Sequence, residues 1–231
     1  QPEVGICGTW IETFGMDKSM VYRNPSDDAT IRCALLFESV LAHPSVMIRR
    51  EAFRSAGLSY DPLMLHAEDY DLWVRASQYT SLANVPEVLL RYRENPHQVV
   101  RKHEAIKRET ARRIRRRQLE RLGIAPTSAE EALHESISSW DFADSREFVS
   151  AAHVWLLKLT AANRTTDVYP RIPFQRTVAE RWWAICAAST QLGLWTLTTL
   201  RCSPLWGDMR LDWKQQVKFG VKCGIRKRQH A

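Results

Sequence analysis

The stretch His66-Ala67-Glu68-Asp69-Tyr70-Asp71-Leu72-Trp73 sets four titratable side chains just ahead of an apolar turn. Three chemistries fit it. A carboxylate here could take a proton from a bound hydroxyl as a general base. Asp69 and Asp71, spaced as Asp-x-Asp, could chelate a divalent cation. The cluster could also be only the acidic first turn of a helix, where carboxylates meet the free N–H groups and the dipole. If 69–76 is helical, two residues are about 200° apart around the axis. The two aspartates then face away from each other and are poorly placed to share one ion. Other candidates surround the cluster. His43 is either structural, at a strand start, or a ligand contact, and His66 either hydrogen-bonds near the cluster or sits in a loop. Trp73 either packs into the core or offers its ring for stacking. Arg91 and Arg93 alternate with Tyr92 on a strand and so share one face. There they would meet a diphosphate or salt-bridge within the protein.

These residues need elements to hold them. The segment 68–78 is a helix by its period, with Leu72, Trp73 and Ala76 on one side. Around it, residues 1–97 alternate short strands and helices, which predicts α/β layering. Residues 3–11 are β-rich and 14–18 read as a turn. Residues 25–41 read as a helix, with Ser26 as N-cap and Asp27 and Asp28 in its first turn. A short strand is expected at 45–50, then a short helix at 50–57 closed by Gly57. Residues 81–85 and 87–93 read as two strands.

The second half has a different texture. A long charged helix is expected over 98–122, ending at Gly123. Ser128 with Glu131 makes a capping box for the next helix. Helices follow at about 128–139, 145–163 and 176–201, the last two separated by a Pro-containing loop. The division is therefore an α/β domain over 1–110 and a helical, basic, Trp-rich extension over 111–231. The uncharged segment 182–200 has three readings: a buried bundle helix, an interfacial membrane helix, or a span. Its tryptophans and the basic tail beyond suit the interfacial one.

The 231 residues suffice for one or two domains with a real core. Apolar content of 45% and charged content of 26% exclude a disordered, collagenous or polytopic membrane chain. Cys7, Cys33, Cys186, Cys202 and Cys223 are odd in number and contain no C-x-x-C pair. That argues for a reducing cytosol rather than a disulfide framework. Gln1 opens almost directly into a strand, so the chain is expected to be a piece of a longer protein. The net charge of +7 is concentrated in 101–122 and 217–230. Such runs either attract phosphates or form solvated helix faces.

Four short patterns stand in order. They are His43-Pro44-Ser45 with Arg49; Gly57 with Tyr60-Asp61; Glu68-Asp69-Tyr70-Asp71-Leu72-Trp73 with Arg75; and Leu90-Arg91-Tyr92-Arg93. In this order and spacing, 43–100 resembles the second half of the catalytic domain of family 2 glycosyltransferases, which have the GT-A fold. The opening strand and turn resemble what precedes this region, so the likeness covers roughly 3–100. The implied fold is a partial, Rossmann-like GT-A domain lacking its N-terminal nucleotide-binding half, followed by an all-helical extension.

The resemblance implies transfer of a sugar from a nucleotide-sugar to an acceptor hydroxyl, with inversion, in polysaccharide or glycolipid biosynthesis. It aligns the catalytic base with Asp69. Glu68, His43, Trp73 and Arg93 are the candidate substrate contacts. A carboxylate at a helix N-terminus is expected to be held ionised by the dipole and the free N–H groups, the state a base needs. The family's divalent cation, Mg or Mn, binds an Asp-x-Asp on an earlier strand. Nothing else here fits, so those ligands are expected outside the chain, which would hold the acceptor side and the base. Many relatives carry Tyr-Arg-x-His; here Asn95 takes the His place, with His97 two positions on, which argues against a role for His97. The Gln-x-x-Arg-Trp motif of processive members is broken, since Val178 stands at the Gln position before Arg181-Trp182, so the resemblance implies a non-processive enzyme that adds a single sugar. The expected partners are a nucleotide-sugar donor and a carbohydrate or glycolipid acceptor, with no nucleic acid. The expected place is the cytoplasm, at the inner face of the plasma membrane, with 182–231 as the membrane-contact candidate. Two alternatives stand beside this: a catalytically silent fragment or scaffold, and a nucleic-acid-binding module using the basic run 112–117.

Overall fold

A computed structural model of the protein describes residues 1–15, 19–94 and 103–225, in two units, Gln1–Arg121 and Leu122–Ala231. Part of the expected turn at 14–18, and His97, lie outside the described residues. The first unit includes the whole long basic helix, which the expected boundary at 110 would divide.

The first unit is built on strand β1 (Val4–Phe14). Along one edge β1 pairs in parallel with β4 (Ser81–Arg93), over nearly its whole length. Two short antiparallel strands, β2 (Val21–Tyr22) and β3 (Met47–Ile48), take the two ends of the other edge. The two strands expected at 81–85 and 87–93 are one. Its register jumps from Thr9↔Val85 to Trp10↔Val88, so Pro86 and Glu87 form an irregularity inside a continuous strand. Pro86 has no N–H to give the ladder, and a bulge is where a strand tolerates that.

Helices α1 (Asp28–Ala34), α2 (Arg50–Ser55), α3 (Glu68–Ala76) and α4 (Glu104–Arg121) pack with the sheet. α1 is shorter than expected, and its N-cap is Asp27 rather than Ser26: the Asp27 side chain accepts from the Thr30 N–H at 2.9 Å. Gly57 ends α2 as expected, at φ +62°. Ile6, Ile31, Leu35, Leu41, Met64, Leu72, Trp73 and Leu82 form the core, joined by Ile114 of α4. α4 is also fixed by polar bonds. Gln118 donates to the Leu35 carbonyl at 2.8 Å, and buried Arg115 to the Phe37 carbonyl at 3.2 Å.

The second unit is helical: α5 (Ser128–Ser138), α6 (Arg146–Thr166), α7 (Arg171–Ala188), α8 (Leu194–Arg201) and α9 (Trp213–Gly224). The α5 capping box is Thr127 with Glu130, one residue before the expected pair. α7 starts earlier than expected, because Pro170 precedes the helix and Pro173 falls in its first turn, where no N–H is needed. The segment 182–200 is not one helix. It breaks at a 3-10 turn, Thr190–Leu192, and at Gly193, whose φ is +78°. Trp182, Ile185, Cys186 and Leu200 are buried. Among the described residues no helix is long and apolar enough to cross a membrane. α9 was not anticipated at all.

Candidate functional site

A cavity of about 750 Å³ opens in the first unit. Its walls bring together His43, Glu68 and Asp69, three of the five residues singled out from sequence, with His66 beside them. Each is positioned by a traceable local cause.

His43 starts a 3-10 turn, His43–Ser45, that is pinned to β1. The Ser45 hydroxyl donates to the Ala42 carbonyl at 2.8 Å and accepts from the Thr9 N–H at 3.1 Å. The imidazole meets the Trp73 ring edge-on at 5.9 Å and bonds Tyr60 Oη through Nε2 at 2.9 Å. Tyr60 is itself held from behind. Arg75 donates to the Ser59 carbonyl at 2.7 Å, and its Nε donates to Asp71 at 2.7 Å. The acidic helix α3 therefore organises the His43–Tyr60 pair from its far side.

Glu68 and Asp69 are the first two residues of α3, after His66 in a left-handed conformation at φ 61°. The His66 ring stacks on His103 at 4.4 Å. The two aspartates part as a helix requires. Asp69 faces the cavity, whereas Asp71 is 2% exposed and takes Arg75 and, at 3.3 Å, Arg117. They do not chelate together. Among the described residues no group of three His, Cys, Asp or Glu could hold a metal ion. The side chains present do not fit the divalent cation that the resemblance implies.

Opposing influences act on the Asp69 carboxyl. The helix start does supply an N–H, since Asp69 Oδ1 accepts from Tyr70 at 2.7 Å, and His43 and Lys107 also favour the anion. Burial outweighs them and pushes the carboxyl above its ordinary range, with Glu68 adding repulsion. The same burial, with Asp69 and Glu68 nearby, pushes the Tyr60 phenol up. The cavity thus contains a carboxyl of raised basicity beside an imidazole and an ammonium group, with the Tyr60 phenol bonded to the imidazole, an arrangement that can hold a hydroxyl and take its proton.

Two candidates do not reach the cavity. Trp73 is 0% exposed and packs beneath His43, so its ring has no face for a ligand. Arg93 and Arg91 share the other face of β4, by strand alternation, and Tyr92 lines the cavity instead. Their guanidinium groups lie over the Phe14 ring at 5.5 and 4.8 Å, and Arg91 also pairs with Glu12 at 3.4 Å. Sequence reasoning missed Tyr22, Asn24, Glu38, Ser39 and Lys107. Tyr92 was recoverable from its alternation with the two arginines. Glu38 and Ser39 were read as helix, and Lys107 as one charge in a basic run.

That run, 112–117, is largely absorbed by the protein. Arg112 pairs with Glu109, Arg116 with Glu120 and Arg117 with Asp71, while Arg115 is buried.

Over 116 residues the chain is 29% identical to a protein of Haemophilus influenzae described as an uncharacterized glycosyltransferase. The likeness is to a glycosyltransferase. It covers 50% of this chain and 34% of that protein, so the chain spans about a third of its relative's length. No family model matches the chain. No solved structure matches it either.

Proposed function

We propose that this chain is part of an inverting, non-processive glycosyltransferase that passes a sugar from a nucleotide-sugar to an acceptor hydroxyl, in polysaccharide or glycolipid assembly. The observation that carries the reading is the gathering of Asp69, Glu68 and His43 in one cavity. Asp69 is the base: it removes the acceptor proton as the acceptor oxygen bonds to the anomeric carbon, and the nucleoside diphosphate leaves with the electron pair of the old bond. A carboxyl of raised pKa, once ionised, holds that proton more firmly than an ordinary aspartate. His43, held by Tyr60, orients the acceptor, and Lys107 adds positive charge to the cavity that holds the two carboxylates. The likeness spans only a third of the relative. By its resemblance to the C-terminal half of a GT-A domain, with a helical extension, the reading gives this chain the acceptor and base side. Donor and divalent-cation binding fall to residues outside it. The reducing cytoplasm is the compartment that five cysteines in no disulfide suit.

The test uses the protein that carries this chain, supplied with Mg or Mn, a bacterial glycolipid extract as acceptor, and a panel of UDP-, GDP- and dTDP-sugars. The readout is nucleoside diphosphate release. Asp69→Asn should lower turnover about 100- to 10,000-fold, as loss of a general base does, and leave nucleotide affinity unchanged. Undiminished turnover would remove Asp69 from the mechanism. Wild-type silence with every donor would favour the scaffold reading.

A further inference from the structure

The last described helix, α9 (Trp213–Gly224), has two faces of opposite fate. Its inner face is fixed: Phe219 and Cys223 are buried, and the Phe219 ring packs on Trp183 at 5.0 Å. Its outer face is apolar and uncovered. Trp213, Val217 and Val221, with Ile225 just past the helix end, follow one another at four-residue intervals and are 69, 56, 53 and 65% exposed. That spacing makes one stripe along the helix. Lys214, Lys218 and Lys222 run beside it, each one residue on, and none pairs with a carboxylate among the described residues. The Lys214 ammonium lies 5.9 Å from the Trp213 ring centre. Asp212 caps the helix start, and no acidic residue follows it, while Arg226, Lys227 and Arg228 extend the positive charge in sequence.

We propose that α9 is a docking face for an anionic lipid bilayer. An apolar stripe bordered by lysines is the pattern of a helix that lies in a membrane interface, with apolar side chains among the acyl chains and ammonium groups at the headgroups. Charge decides the occupant. A second copy packed stripe to stripe would bring two unpaired lysine rows together, and that repulsion disfavours it. An anionic headgroup layer satisfies the lysine row and the stripe at once. The helix is already formed and held by Phe219, so binding carries no cost of folding it. α4 shows the contrast: its arginines are largely taken up by Glu104, Glu109, Glu120 and Asp71. This docking is independent of the proposed transfer chemistry, since no residue of α9 lines the cavity.

The test is flotation of the full chain with vesicles of phosphatidylcholine alone, or of phosphatidylcholine with phosphatidylglycerol, at low and high salt. The protein should float with the anionic vesicles and leave them at high salt. Replacing Lys214, Lys218 and Lys222 by Gln should weaken partitioning about 100-fold. Val217→Glu with Val221→Glu should abolish it without changing the thermal melt, because both side chains are already exposed. Failure to float, or flotation indifferent to both variants, would overturn the proposal. So would a wild-type dimer, seen by sedimentation, that the glutamates dissolve while vesicles bind nothing.

Discussion

Asn in place of Asp71 and Asn in place of Asp69 should move stability in opposite directions, although the two residues are separated only by Tyr70. The Asp71 side chain is 3% exposed and accepts from Arg75 at 2.7 Å and Arg117 at 3.3 Å. Breaking a buried pair costs about 3–5 kcal/mol where the stranded charge stays buried. Here the two arginine side chains are 31 and 52% exposed, so each can turn to water. Asn also keeps an acceptor for one of them. What remains is the loss of charge assistance in two hydrogen bonds, about 2–3 kcal/mol together. For a unit the size of Gln1–Arg121, about 4 °C accompanies each kcal/mol, so its melting point should fall by about 8–12 °C. Asp69 is the reverse case. Its folded pKa is raised above the ordinary 3.8, mainly by burial, so at neutral pH its ionised form works against folding. Asp69→Asn removes that burden, keeps the acceptor for the Tyr70 N–H, and should raise the melting point. The pH profile carries the sign. The folded state binds this proton more tightly than the unfolded chain, so wild type regains stability as pH falls through the folded pKa towards 3.8. The advantage of Asp69→Asn should shrink across that window. Calorimetric melts of the three proteins at neutral and mildly acidic pH provide the comparison. An Asp71→Asn melt within experimental error of wild type, or an Asp69→Asn loss as large as that of Asp71→Asn, would refute the division of roles.

Two further expectations concern the scaffold. A Cβ at Gly8 would fall on Asn84 Oδ1, whose amide nitrogen donates to the Pro25 and Val40 carbonyls at 2.7 and 3.0 Å. Gly8→Ala should therefore lower the melting point by several degrees, an effect that Asn84→Ser, with the smaller side chain, should partly reverse in the double variant. Among the cysteines, Cys202 is exposed, whereas burial pushes the Cys33 thiol up to about 12 and that of Cys186 higher still. Timed thiol labelling should modify Cys202 first and leave Cys33 and Cys186 untouched until denaturant is added; early labelling of Cys33 would contradict its burial.

The parts of this chain that are legible in its sequence are those where two local signals agree. α3 shows both an acidic first turn and an apolar 3.6 period, and it forms where expected. β4 was divided because Pro86 signals a break; the sequence cannot show that β1 would bridge the irregularity with pairing on both sides. The caps were each placed one residue off, Ser26 before the true Asp27 and Ser128 after the true Thr127, where adjacent Asp, Ser and Thr offer equivalent oxygens. α9 was hidden by a coincidence of periods. Val217, Phe219, Val221 and Cys223 alternate with polar residues or glycine, a strand pattern, yet the same residues divide into an outer and an inner helical face. The cavity was legible only along the α3 segment and at His43. Glu38 and Lys107 reach it because α4 is tied to the 35–37 turn through Gln118 and Arg115, contacts that span most of the first unit in sequence.

Charge type alone decides little in this protein; the partner decides. Asp69 and Asp71 are the same residue on the same helix turn. One has two arginines behind it and braces Ser59 through Arg75, and so Tyr60; the other faces a cavity where burial raises its basicity. The two basic runs divide in the same way. On α4 the intervening glutamates fall three or four residues from the arginines, within reach on the helix surface, and the run becomes structure. On α9 the positions three and four residues from each lysine hold basic or uncharged residues and no carboxylate, and the charge is left for a partner. A run of basic residues is therefore left as a recognition surface where no carboxylate stands three or four residues away on the same helix face, and by that criterion the α9 lysines qualify and the α4 run does not.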